Sequence, residues 1–209
     1  MKIAVVGANG RVGSLIVKEA IERGYDVTGI ANGVNTSPSK KYINKNGLDL
    51  TKNDLKDFDV VVDAVGGWTL ETIPNITNVM IHLASLLKGE KTRLIVVGGA
   101  GSLFVNKERT VTVDMGPDFP ESWKPLSSAH GKGLKVLRES KDLNWTYISP
   151  ACNFVADGIR TGEYKLGGEE LTLSSNGTSE ISYADYAIAL VDVFESGKFN
   201  KERISVVSK

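Results

Sequence analysis

The chain has 209 residues, 41% of them apolar and 24% charged, with Lys+Arg and Asp+Glu both totalling 25. This composition fits an ordinary globular protein with one sizeable core, so one domain over residues 1–209 is expected. Zero net charge argues against nucleic acid or an anionic membrane surface as partner, because both reward a basic excess, and it sets no barrier to a homodimer.

Ile3–Val6 reads as a short buried strand. Val12, Leu15, Ile16 and Ala20 follow at helical spacing, and Gly24 is a helix stop. Val27–Ile30 is a second strand, Asn32 to Lys41 a polar loop, Tyr42–Lys45 a weak third strand and Asn53–Lys56 a helical turn. Val60–Val65 is a strong strand, and a helix follows over Asn75 to Leu87. Leu94–Val97 is the next strand. A loop-rich stretch with Pro117, Pro120 and Pro125 leads to a helix within Ser127–Ser140 and a strand at Trp145–Ser149. Scattered Gly and alternating apolar residues over Arg160–Ile181 suggest a hairpin; Tyr183–Phe194 is helical and Ile204–Val207 a final strand.

Repeated alternation of apolar strands and helices implies a parallel sheet covered on both faces. The expected fold is a Rossmann-like, doubly wound α/β sheet, with a small C-terminal substrate lobe over its carboxyl edge. Cys152 is the one cysteine, so no intrachain disulfide forms. The N-terminus lacks the apolar core of a signal peptide and no apolar run reaches membrane-spanning length, so a cytoplasmic protein is expected. No His/Cys/Asp/Glu cluster has metal-ligand spacing, and no metal is expected.

The first strand runs into Gly7-Ala8-Asn9-Gly10-Arg11-Val12-Gly13, with a helix opening inside the G-x-x-G-x-x-G spacing. Gly7 permits the turn, Gly10 lets backbone approach a diphosphate, and Gly13 lets helix pack on strand. Free N–H groups at the helix start then bind the anion. A strand–turn–helix corner can use glycines for geometry alone; strand before and helix after favour the dinucleotide.

Lys2–Gly24 resembles the atypical and extended short-chain dehydrogenases/reductases. Further matching stretches are Val96-Val97-Gly98-Gly99-Ala100-Gly101-Ser102-Leu103, Asp118-Phe119-Pro120, Trp145-Thr146-Tyr147-Ile148-Ser149-Pro150, Arg160-Thr161-Gly162-Glu163-Tyr164 and Ile181-Ser182-Tyr183-Ala184-Asp185-Tyr186-Ala187. Nearly full-length, the chain is similar to the NADH-flavin reductase-like proteins, relatives of biliverdin-IXβ reductase.

The resemblance and the fold together imply further cofactor positions: Asp49 and Leu50 at the adenine, and Ala64, Val65 and Gly66 at the adenosine ribose. Gly98 and Gly99 would lie under the nicotinamide ribose, and Ser149, Pro150 and Ala151 beside the nicotinamide. Asn32, at the end of strand two, stands where the resemblance implies a basic residue. With neither the acidic residue of an NAD site nor the arginine of an NADP site there, both cofactors stay open. Lys40 and Lys41 read as solvated loop lysines.

Lys132 resembles the family's lysine, but Ser128 stands where its tyrosine would be, and no Tyr-x-x-x-Lys occurs. Standard alcohol or ketone chemistry is therefore not expected. Flavin reduction escapes the requirement, because flavin itself takes up the electrons and the protein need only stack two rings and exclude water. The implied function is NAD(P)H-dependent reduction of a planar small-molecule acceptor such as free flavin; the alternative is a non-enzymatic NAD(P) sensor. His130 and Lys132 are the candidate catalytic residues, with Lys132 also implied by the resemblance to help position the cofactor ribose and His130 otherwise an exposed or capping histidine. Trp68, Ser102 and Phe104 are the candidate acceptor contacts, although either aromatic ring could be core. Cys152 and His82 read as structural.

Overall fold

The computed structural model describes every residue from Met1 to Lys209. In chain order the elements are β1 (Lys2–Val6), α1 (Arg11–Glu22), β2 (Asp26–Ala31), β3 (Lys41–Asn44), α2 (Lys52–Leu55), β4 (Val60–Asp63), α3 (Ile73–Leu87) and β5 (Arg93–Val97). There follow α4 (Lys124–Glu139), β6 (Asn144–Ser149), β7 (Asn153–Val155), β8 (Tyr164–Gly167), β9 (Glu180–Ser182), α5 (Tyr183–Ser196) and β10 (Glu202–Ser208). Eight strands form one sheet in the order β3-β2-β1-β4-β5-β6-β10-β8. Only β8 is antiparallel, against β10. This is the mostly parallel, Rossmann-like α/β fold expected.

The chain winds outward from β1 to β3, then returns to place β4 on the other side of β1. The loops after β1 and β4 thus diverge, opening a crevice at the carboxyl edge. The strands are apolar on both faces because helices cover both. Ile3 and Val5 of β1 join the core under α1 and α5, while Ala4 and Val6 join the one under α3 and α4. Two helices begin earlier than their periodicity suggested, at Ile73 and Lys124. Pro74 and Pro125 sit in the first turn, where a missing N–H costs nothing.

The hairpin expected over Arg160–Ile181 does not form. β8 pairs with the last strand, β10, whereas β9 pairs in parallel with β7, a short strand that the sequence did not disclose. Alternating residues mark extended chain but not its partner, and the long Gly168–Ser179 connection is no hairpin turn.

Two of the motifs quoted above form one unit. Ser182 caps α5 by accepting from Asp185 N–H at 3.0 Å. The Asp185 carboxylate, 1% exposed, accepts from Thr161 N–H (2.9 Å), Gly162 N–H (2.8 Å) and the Thr161 hydroxyl (2.7 Å). Gly162 has φ +77°, a left-handed turn that glycine adopts without strain. Asp185→Ala strands these donors and is expected to cost about 2–3 kcal/mol, read as a lower urea midpoint at unchanged m-value.

Candidate functional site

The first glycine turn is built by backbone contact. A Cβ on Gly13 would stand 2.2 Å from the Gly7 carbonyl oxygen, so α1 seats against the end of β1 only with glycine there. Gly7 has φ +84°, and a Cβ there would stand 2.7 Å from the Ala64 carbonyl oxygen. A Cβ on Gly10 would meet one atom, the Gly7 oxygen at 3.1 Å; its outer face is otherwise open. The N–H groups of Arg11, Val12 and Gly13 have no protein acceptor, α1 has no side-chain cap, and its first turn holds no carboxylate. This open, electropositive cradle fits a diphosphate.

Two of its side chains are engaged elsewhere. Asn9 donates to the Val34 carbonyl (2.9 Å) and Tyr42 hydroxyl (3.0 Å) and accepts from Thr36 N–H (3.0 Å), bracing the loop after β2. Arg11 reaches across to Asp157, 2.8 Å from each oxygen, in an exposed ion pair.

A second cluster stands beyond β5. The ring of Tyr147, fully buried in β6, lies against Gly98, where a Cβ would stand 2.2 Å from it. Its hydroxyl accepts from Gly99 N–H at 2.9 Å and lies 3.3 Å from His130 Nδ1. His130 packs on Gly99, and one helical turn earlier Ser127 packs on Gly101 while donating to Asp114 at 2.6 Å. The glycines of this motif thus let α4 settle onto the end of β5. Burial pushes the His130 pKa down to about 4 and raises that of the Tyr147 phenol, leaving both neutral near pH 7. Tyr147 lies within one of the stretches that carry the resemblance, but inward-facing strand residues usually read as core, so its polar contacts were not evident from the sequence.

The other candidates divide. Lys132 does not share a face with His130, because residues two apart on a helix point in nearly opposite directions. It lies exposed in a stripe with Ser128, Lys135 and Glu139, away from the β5 shelf. Ser149 is fully buried and its hydroxyl accepts from Arg203 at 3.4 Å, so only its backbone continues toward buried Pro150 and Ala151 at the edge. The Ser102 hydroxyl is buried without a partner. Phe104 is tied by backbone to the 169–171 segment, whereas Trp68 is 76% exposed on the loop after β4. Asp49 is exposed, and Leu50 is core with its carbonyl accepting from His82 Nε2 at 2.8 Å. Asn32 is exposed beside Gly33, whose N–H donates to Asn44 at 2.8 Å. Lys41 pairs with Asp26 at the opposite edge of the sheet.

Ala64, Val65 and Gly66 form the exit from β4, and Asp63 shapes it. Its side chain, 3% exposed, accepts from Val65 N–H at 3.1 Å. Burial nevertheless dominates and raises its pKa to about 7.

The NAD(P)H-binding family matches residues 7–196. YwnB of Bacillus subtilis, an uncharacterized protein, is 40% identical over 216 residues, covering 100% of this chain and 99% of its own. The crystal structure of a candidate NADH-flavin reductase from Streptococcus pneumoniae has a TM-score of 0.97 at 47% identity, covering 100% of both chains. A candidate epimerase from Bacteroides thetaiotaomicron has a TM-score of 0.85 at 31% identity, covering 99% of this chain and 96% of its own.

Asp63 has a pKa of about 7 when folded against roughly 3.9 unfolded, so between these values the folded state holds the extra proton. Stability therefore falls as pH rises through this window and levels off above it. Asp63→Asn keeps an acceptor for Val65 N–H and removes the titration. The variant is expected to gain on the wild type by up to roughly 4 kcal/mol between pH 4 and pH 8, measured as the difference in urea-unfolding free energy.

Proposed function

Because the chain belongs to the NAD(P)H-binding family, we propose that it is an NAD(P)H-dependent oxidoreductase that reduces free flavin or a similar planar acceptor. The observation that carries this reading is the set of three unpaired N–H groups over the open face of Gly10, and a neutral shelf with Gly98 and Gly99 follows β5 of the same sheet. The bound dinucleotide supplies hydride from its nicotinamide C4.

The Arg11, Val12 and Gly13 amides hold the diphosphate, and Asn9 keeps the loop after β2 in place beside the adenosine. The Asp49-Leu50 backbone borders the adenine and Ala64–Gly66 the ribose. Gly98 and Gly99 floor the nicotinamide ribose, with Pro150 and Ala151 beside the ring. Trp68, Leu70, Met115 and Trp123, all more than half exposed on segments following β4 and β5, supply the apolar surface that a planar acceptor needs. Ser102 and Phe104, on the segment after β5, complete the acceptor contacts in this reading. No Tyr-x-x-x-Lys pair is required, which separates this reading from the epimerase description of one relative. The same lack also favours a non-catalytic NAD(P) sensor as the second reading.

NADH is the favoured donor. Beside the end of β2 stand neutral Asn32 and Asn44, and the nearby Lys45 is held by Asp54 at 2.8 Å, so a 2′-phosphate gains no unpaired cation.

Mixing the protein with NADH or NADPH and FMN, and following the nicotinamide absorbance, tests the reading. Turnover above the uncatalysed background is expected; binding without turnover supports the sensor. Gly10→Val fills the open face and is expected to weaken NADH binding by about a hundredfold or more in a fluorescence titration. Normal binding by that variant would remove the diphosphate assignment. Asn32→Arg is expected to shift the ratio of kcat/KM toward NADPH by about tenfold.

A further inference from the structure

The Tyr147 hydroxyl is wholly buried and accepts from Gly99 N–H at 2.9 Å. Its own proton has one acceptor within reach, His130 Nδ1 at 3.3 Å. If Nδ1 carried a proton, two donors would face each other and the phenol proton would be stranded in the interior, a costly arrangement. The ring cannot swing away easily. Its Cγ and Cδ2 edge lies against Gly99, where an added Cβ would stand 3.0 Å from both atoms. Nε2 has no protein partner, and Ser102 Oγ is the only buried side-chain nitrogen or oxygen without one, so Nε2 is solvent-accessible.

We propose that Tyr147 is a positioning residue that fixes neutral His130 as its Nε2–H tautomer and aims that N–H, as a hydrogen-bond donor, at the acceptor being reduced. The inference rests on the reductase reading for its chemistry and on the Tyr147–Gly99–His130 geometry for its structure. In the step it serves, the nicotinamide C4–H bond breaks and a flavin N5–H bond forms. Two electrons enter the flavin with the hydride, and negative charge gathers at N1 and the C2 carbonyl oxygen. A neutral imidazole is too weak an acid to give up its proton, so the Nε2–H group stabilises that charge without transferring a proton. The last proton comes from water after release. Burial, which keeps His130 uncharged, is thus part of the design.

The protein has two histidines, so nitrogen-15 NMR of histidine-labelled protein without cofactor reads the tautomer directly, with His82→Gln identifying the His130 signal. The wild type is expected to show His130 protonated on Nε2, and Tyr147→Phe, which keeps the ring over Gly98, to show a mixture of tautomers. With NADH and FMN, His130→Ala is expected to lower kcat about tenfold and Tyr147→Phe about two- to threefold, in proportion to its loss of the Nε2–H tautomer, each with KM within about twofold, and the double variant to be no slower than His130→Ala. A wild-type Nδ1–H tautomer, an unchanged tautomer in Tyr147→Phe, or losses that multiply in the double variant would overturn the proposal. Absence of wild-type turnover would instead sink the reductase reading, while the NMR arm still decides what Tyr147 does to His130.

Discussion

The approach of Gly13 to the Gly7 carbonyl is the contact on which the rest of this edge depends. With no side chain between them, α1 begins directly over the end of β1 and its unpaired N–H groups stand at the crevice between the loops after β1 and β4. Any side chain at residue 13 would push the helix off the strand by more than a hydrogen bond tolerates. The same turn rests on the exit of β4 through Gly7 and Ala64, and Asp63 holds that exit from below through Val65. The unpaired N–H groups of α1 and the exit of β4 are therefore parts of one backbone assembly.

The β5 end repeats the principle with side chains on one partner. Tyr147, His130 and Ser127 each fill the space beside a glycine, so strand end and helix α4 approach more closely than substituted residues would allow. The polar atoms this brings into the interior are mostly satisfied: the phenol by Gly99 and His130, Ser127 by Asp114. A buried, neutral, mutually oriented set of this kind suits hydride transfer to an acceptor that stores electrons itself, and it suits poorly a reaction needing a strong acid or base.

Charge does its structural work farther out. Glu19 of α1, 7% exposed, pairs with Arg23 and Arg160, and Arg23 also meets Asp192 and Glu195 of α5. Fully buried Arg203 of β10 meets Glu169, which also pairs with Arg138 of α4. The first network fastens α5 and the Arg160 segment to α1, and the second fastens Glu169 to β10 and α4. The exposed Arg11–Asp157 pair is weaker, since solvent screens it.

The strand and helix alternation, the glycine turn and its position at the start of α1 were legible in the sequence, because each rests on residues close together in the chain. Short-range sterics decide that Gly10 and Gly13 make a helix start against a strand, whereas Gly7 also makes room for the distant Ala64 carbonyl. What lay beyond the sequence was partnership at a distance. β8 chose β10 and β9 chose β7, because extended segments carry no label for their partner. Lys132 fell to the outer stripe of α4 and His130 to the inner one, a matter of helix rotation fixed by packing on Gly99 and Gly101. Tyr147 looked like core until the fold set its hydroxyl between Gly99 and His130, since a buried polar tip declares its role only when its hydrogen-bond partners, 48 and 17 residues away, are in place.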